Sequence, residues 1–474
     1  MNYKSIFFFL AVYSILISFF SILNILYSIY FSFVLDLNSY LITLGVSLTF
    51  GISLYYLGHN YNKNITLIDQ VTFIILGFII LPVFLSIPYY LSIYDISFID
   101  SYFEAISGFT TTGFSIIETP QNLDEPLLLW RSSSQWLGGL LFIVSTIGTI
   151  GSRQAKIKPA YLISGGASGR NFYNNFSYNF IKILSIYFAS TVLIIFLYTL
   201  VDIRLFDSFN LAFTTVSAGG FIPSNNLTNI VNNNSQVFII SLCLLFPIFN
   251  FFLLFDIITK KFSFKNHHED IHLGAIIIFL IFIFYFFFVN EDEVFVNVFF
   301  SIVSSLSTSG IALATTNFDL SLFLILLTIV GGSLISSSSG YKYTRLYILL
   351  KISYQEIYRL VKPINIIDKN LFNNESKIDD QDVKIAFLAF ISFVISIFIL
   401  CSILTLNNIN FDNSFKLSIL TLTNTLSSSL YGLDNLTFFD LNSFTKVSLI
   451  IFMILGRIEI ITVLYLIKRF IFRE

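Results

Sequence analysis

The chain has 474 residues, of which 55% are hydrophobic, 18% aromatic and only 11% charged, and its mean hydropathy is +0.82. A soluble domain with a solvated surface does not reach these values, so the composition excludes a string of globular domains and indicates an all-α polytopic membrane protein. The net charge of −2 carries no information as a total, and no nucleic-acid partner is expected.

Apolar runs bounded by polar punctuation predict spanning helices near 5–34, 38–58, 71–93, 127–150, 178–201, 235–258, 272–290, 320–350, 384–406 and 445–467. The first is too long for a cleaved signal and reads as a retained helix. Cys243 and Cys401 sit far apart in apolar runs, which supports neither a disulfide framework nor a thiolate metal site. Basic residues such as Lys4, Lys63, Arg153, Lys260, Lys342 and Lys468 fall at the termini or in alternate loops, which predicts a cytoplasmic location for both termini. The opposite loops hold Asp95, Asp100, Asp207, Glu291 and Asp412, carboxylates that would concentrate cations at an outer mouth.

On that outer side four segments, 100–113, 207–220, 295–310 and 412–428, follow a spanning helix and are too short to cross again. They read as re-entrant pore helices, each with a Gly/Ser/Thr-rich end that must face a cavity. The expected architecture is therefore four helix/pore-helix/helix repeats, arranged pseudo-fourfold around one pore, after an N-terminal helix pair. The boundaries are 1–64 for the pair and 65–160, 161–265, 266–365 and 366–474 for the repeats. Backbone carbonyls can replace the water shell of a monovalent cation, and glycine lets them turn inward. The candidate filter residues are Thr111, Thr112 and Gly113, then Ala218, Gly219 and Gly220, then Thr308, Ser309 and Gly310, and finally Thr425, Leu426 and Ser427. In the fourth loop both Ser427 and the more distant Gly432 are open as the equivalent of the glycines, with Ser427 the better fit in length.

The run Asp100-Ser101-Tyr102-Phe103-Glu104-Ala105-Ile106-Ser107-Gly108-Phe109-Thr110-Thr111-Thr112-Gly113, followed by Trp130-Arg131-Ser132 and Gln135-Trp136-Leu137-Gly138-Gly139, resembles the TrkH branch of the superfamily of potassium transporters that also contains KtrB and the plant HKT proteins. The resemblance rests further on Gly331-Gly332-Ser333 with the serine run to Lys342, and on Gly456-Arg457-Ile458-Glu459. It implies a K⁺-translocating subunit of a bacterial cytoplasmic (inner) membrane, assembled as a homodimer with a peripheral, nucleotide-binding regulator of TrkA type. K⁺ at the filter is then the transported ion, and no cofactor or further metal is expected. Where that family has Asn-x-Gly-Pro-Gly-Leu in its fourth filter, this chain has Asn424-Thr425-Leu426-Ser427-Ser428-Ser429, which predicts weaker discrimination of K⁺ from Na⁺.

Residues 331–340 hold three glycines and five serines inside an apolar span, so a helix break is expected at membrane depth. Gly331, Gly332, Ser336, Ser337, Ser338, Ser339 and Gly340 form a candidate gate below the filter, together with Arg457, whose charge inside the last helix needs water or an anionic partner. His267, His268, Glu269 and His272 read as a solvated cytoplasmic loop, and Trp130, Arg131 and Trp136 as anchors at the outer interface or as packing residues. Two transport readings stay open, an uncoupled cation pore with K⁺ or Na⁺ as cargo and an ion-coupled K⁺ symporter. No nucleophile–base pair, metal cluster or phosphate loop supports an enzyme.

Overall fold

The computed structural model describes residues 2–33, 35–60, 66–153, 176–258, 267–287, 295–313, 320–361, 370–372, 378–433, 436–458 and 463. Lys63, Lys260, Glu291, Glu459 and Lys468, and most of the connection 361–384, lie outside them. The described residues are helical, and they contain six helices long and apolar enough to cross a membrane. Such helices satisfy their own backbone hydrogen bonds, which lipid would leave unmet in most other conformations.

An N-terminal pair, α1 (Tyr3–Tyr30) and α2 (Leu37–Gly58), packs tightly along its length. The contact is made by small residues. Ser14 Oγ donates to the Ser47 carbonyl at 2.7 Å and Ser21 Oγ to the Tyr40 carbonyl at 2.6 Å. A Cβ on Gly58 would fall 2.6 Å from the Phe8 nitrogen, so glycine there lets the two backbones approach.

Four units follow. The first consists of α3 (Leu67–Tyr90), short α4 (Phe98–Phe109) and α5 (Glu125–Arg153). The second has α6 (Phe176–Leu200), short α7 (Leu205–Ser217) and then α8 (Asn234–Cys243) and α9 (Leu253–Ile258). The third comprises α10 (His268–Phe287), short α11 (Phe295–Leu306), α12 (Ser321–Val330) and α13 (Tyr343–Val361). The last contains α14 (Asp380–Leu406), short α15 (Phe411–Leu422) and α16 (Ser443–Ile458). Each short helix packs on the spanning helix before it. In addition α5 packs on α7, α8 on α11, α12 on α15 and α16 back on α4, so the contacts close into a ring. Lys446 of α16, 2.5 Å from Asp100 of α4, is an ion pair across the seam between the last unit and the first. Outside the ring, Phe188, Phe279 and Phe398 on α6, α10 and α14 are exposed, as lipid-facing side chains would be.

Two glycines fix how closely the inner helices approach the short ones. A Cβ on Gly138 of α5 would lie 1.7 Å from the Phe109 carbonyl oxygen, and one on Gly456 of α16 would lie 2.4 Å from that of Leu422. Phe109 and Leu422 end α4 and α15, so the same contact occurs in the first and last units.

Two spanning runs are broken. The break in 320–350 falls at 331–342, between α12 and α13. The run 235–258, expected as one helix, is also interrupted, at 244–252 between α8 and α9. The cause is tertiary. The Ser333 nitrogen donates to the Ile248 carbonyl at 2.8 Å, Ser338 to Pro247 at 3.1 Å, and Phe251 donates to the Ile335 carbonyl at 2.8 Å. Each broken segment thus supplies the backbone partners the other has lost.

Candidate functional site

The short helices end in the same way. Thr111, Ala218, Thr308 and Asn424 have left-handed φ values of 58°, 59°, 59° and 48°. None is glycine, so each turn stores strain of about 1–3 kcal/mol that the surrounding packing must hold. The nitrogens of Thr112, Gly219 and Thr425 donate to the carbonyls five residues back, on Ser107, Thr214 and Leu420, at 2.9, 2.8 and 2.9 Å. Hydroxyl pairs lock three of the turns from behind, namely Thr110–Thr112 at 2.8 Å, Ser307–Ser309 at 3.0 Å and Thr423–Thr425 at 3.0 Å. In the second turn glycine stands in place of the outer hydroxyl, and the Gln135 side chain fills that space, 2.3 Å from where a Gly219 Cβ would be.

This register corrects the fourth loop. Counting two residues from each left-handed position gives Gly113, Gly220, Gly310 and Leu426. Leu426, and neither Ser427 nor Gly432, therefore stands at the glycine level. Ser427 lies one step further out, and Gly432 caps a separate short turn with φ 68°. The four residues meet. A Cβ on Gly113 would fall 3.1 Å from the Gly220 Cα, and one on Gly310 would fall 2.7 Å from the Leu426 carbonyl oxygen. Outside them opens a cavity of about 630 Å³, lined among others by Gly113, Gly220, Leu426, Ser427, Glu118 and Arg131.

Directly inside lies the broken segment of the third unit. Gly331 and Gly340, at φ 62° and 84°, bring its two ends together. The Ser339 nitrogen donates to Thr308 Oγ1 at 2.9 Å, and Ser337 Oγ donates to the Val216 carbonyl at 2.9 Å, so the loop hangs from the second and third turns. Ser336, Ser337, Ser338 and Ser339 are all buried. Arg457, 1% exposed, donates through Nη1 to Ser339 Oγ and through Nη2 to the Ser337 carbonyl at 3.3 Å. Its guanidinium carbon sits 3.8 Å above the Phe142 ring, and among the described residues no carboxylate pairs with it. Lys342, counted in the sequence among the basic residues of alternate loops, is buried as well. Its Nζ donates to the carbonyls of Ser338 at 2.6 Å and Ser336 at 3.2 Å. Two cations therefore grip one serine loop.

A family model described as a cation transport protein, TrkH, matches residues 37–273, half of the chain. The chain belongs to the TrkH cation transport family. It is 28% identical over 423 residues to the Trk system potassium uptake protein TrkG of Escherichia coli, covering 86% of each. It is 25% identical over 443 residues to the Trk system potassium uptake protein TrkH of Halomonas elongata, covering 90% of this chain and 91% of that one. The crystal structure of the potassium transporter TrkH from Vibrio parahaemolyticus has the same fold, with a TM-score of 0.78, 22% identity and 98% of both chains covered.

Several polar residues of this TrkH-family chain gain specific partners in the structure. Of the two readings of Trp130 and Trp136, anchoring or packing, their burial fits packing. Both are buried, with Nε1 donating to the Leu85 carbonyl and to Thr191 Oγ1, each at 3.0 Å. Arg131 is buried against Glu104 of α4, a residue noticed only as part of a family motif. Asn424 crosses to the first turn, donating to Thr112 Oγ1 at 2.9 Å and to the Met453 carbonyl at 2.9 Å.

His267, read from the sequence as part of a solvated loop, is buried. His267 Nδ1 lies 3.0 Å from Asp270 Oδ2 and Nε2 lies 3.1 Å from Asp256 Oδ2, all three groups buried. Asp270 also accepts from the Asn250 nitrogen at 2.8 Å, in the broken segment of the second unit. Glu269 accepts from the Leu334 nitrogen at 2.9 Å and from Thr344, and His272 bonds Tyr343. The cluster thus pins both broken segments. Burial disfavours the His267 cation, but the hydrogen bonds and charges of Asp270 and Asp256 outweigh it and hold the pKa above its ordinary value. Protonated His267 then contributes stability that is full below about pH 6.5 and is lost as pH rises through the folded-state value. The unfolding midpoint of the detergent-purified protein is expected to fall on raising the pH from about 6. In His267→Gln this fall should be smaller than in the wild type, and a pH profile identical to that of the wild type would remove the assignment.

Proposed function

We propose that this chain carries K⁺ across the membrane as the channel-like subunit of a Trk-type system. Thr111–Gly113, Ala218–Gly220, Thr308–Gly310 and Thr425–Leu426 form the filter in this reading, with Ser427 at its outer rim. The serine loop 331–340 and Arg457 close the path beneath it. The observation that carries the proposal is the convergence of four left-handed turns at one level, with an open cavity outside and a cation-gripped loop inside. Carbonyls held by such turns suit a dehydrated monovalent cation, and each short helix directs its partly negative C-terminal end at the same place. The likeness to Trk system potassium uptake proteins supports K⁺ as cargo. The family resemblance adds the remaining parts, namely a homodimer, a TrkA-type regulator on the cytoplasmic face, a bacterial inner membrane, and both termini inside.

Uncoupled flux is favoured over symport because the buried Asp256 is paired with His267 at the cytoplasmic end, away from the filter level. A second reading, a pore with weak discrimination between K⁺ and Na⁺, is favoured by Leu426 alone. Reversal potentials of proteoliposomes under imposed K⁺, Na⁺ and pH gradients test both. A potential that follows the K⁺ gradient and ignores pH supports the proposal. Equal weight for Na⁺ supports the second reading, and a shift with pH overturns uncoupled transport.

A further inference from the structure

Among the four residues at the glycine level, Leu426 is the one with a side chain, and that side chain points across the ring. The contact cycle of the helices runs through the units in order, so the second and fourth units stand opposite each other. A Cβ on Gly220 would lie 2.5 Å from the Leu426 Cβ and 3.3 Å from its Cδ2. One carbon–carbon bond further back, the Gly220 Cα is at most about 4 Å from the Leu426 Cβ, which is the distance of touching carbon atoms. The opposite walls therefore meet at this level, and an ion with its coordinating oxygens does not fit between them. The neighbouring carbonyl is also engaged, since Ser428 Oγ donates to the Gly310 oxygen at 2.6 Å. Leu426 is partly exposed, and it lines the outer cavity.

We infer that Leu426 is a hydrophobic constriction at the outer end of the filter, a barrier separate from the serine loop and Arg457 on the inside. An apolar side chain in so narrow a passage expels water and blocks ions until it swings aside, which is gating by dewetting. The side chain and the ion each have a way past this level. The leucine faces a cavity of about 630 Å³ into which it can turn, and the serines that follow it offer hydroxyls to a passing cation. The position also bears on selectivity. Leucine at the outermost level replaces the free backbone rotation of glycine, so the last carbonyl ring is incomplete in the fourth quarter.

This inference rests on the pore reading above, and the experiment separates the two. K⁺ flux is measured in proteoliposomes holding the full chain, Leu426→Ala or Leu426→Gly, with Gly113→Ala as a filter control. The elution profile of each purified protein serves as the check of folding. The expected order is wild type below Leu426→Ala below Leu426→Gly, with the last at least about tenfold above wild type, the effect of lowering a barrier by one factor of ten in rate. Flux in both leucine variants equal to or below a measurable wild-type flux, with Gly113→Ala still impaired, overturns the constriction and leaves the pore standing. No K⁺ flux above empty vesicles in any protein, Leu426→Gly included, overturns both. Because the alanine variant keeps a Cβ, a well-behaved Leu426→Ala decides the matter even where Leu426→Gly does not fold.

Discussion

Glu104→Ala is expected to destabilise the folded protein by about 3–5 kcal/mol, the usual cost of leaving one member of a buried ion pair alone. The Glu104 side chain has no solvent exposure and that of Arg131 has 3%. Arg131 Nε donates to Glu104 Oε1 at 3.0 Å, and the same carboxylate accepts from the Ile116 nitrogen at 2.9 Å and from Ser115 Oγ at 3.0 Å. Glu104 thus joins three pieces of chain, the short helix α4, the strand-like exit after Gly113, and α5. Arg131 extends the link to the second turn, its guanidinium lying 4.2 Å above the ring of Phe221, the residue after Gly220. Alanine would strand the guanidinium in the interior and free the exit of the first loop. Thermal unfolding in detergent, followed by the fluorescence of the two buried tryptophans, Trp130 and Trp136, measures the loss. The double change Glu104→Leu with Arg131→Met should recover most of it, because apolar side chains of similar volume replace a buried pair at little cost. If Glu104→Ala melts with the wild type, the pair does not hold the first loop.

The helices were legible because apolar length decides them, and the short re-entrant segments because their ends are rich in small polar residues. The register of the fourth loop was not. Glycine is the visible mark of an unusual backbone, yet the left-handed positions here are Thr111, Ala218, Thr308 and Asn424. The glycines come two residues later, and where leucine replaces glycine the mark disappears. Counting then slides to Ser427 or Gly432, while the backbone hydrogen bond from Thr425 to Leu420 identifies the true position. The break at 244–252 was hidden for another reason. Pro247 and Asn250 are set among leucine and phenylalanine, and the partner that makes the break tolerable, 333–338, lies far along the chain. His267 looked solvated because its neighbours in sequence are polar. Its burial comes from Asp256 and from the broken segments, which no local pattern shows.

Replacing Arg457 by glutamine is expected to raise regulator-free K⁺ flux by about tenfold or more. A unit charge about 4 Å from a second one in a partly solvated interior is worth about 4 kcal/mol at an effective dielectric constant of 20, and each 1.36 kcal/mol changes a rate tenfold. Arg457 is held just below the filter level by Ser339 and the Ser337 carbonyl, and Ser339 itself bonds Thr308 of the third turn. In the proposed pore this is a position where a fixed cation would oppose a passing one. Glutamine keeps a donor for the loop while removing the charge, so a rise in flux reads electrostatics and not the loss of the loop. Deleting Ser336–Ser338 from the loop removes the other component. Lys342, which grips the neighbouring Ser336 and Ser338 carbonyls, would then lose those two contacts and keep its place over the Phe142 ring. The two changes should consequently not add in full, because the barrier left in either single variant includes the charge of Lys342. Flux in proteoliposomes without any cytoplasmic partner is the measurement. A folded Arg457→Gln protein with flux below wild type would show instead that the arginine supports the loop in a conducting shape, and the charge-barrier account would fall.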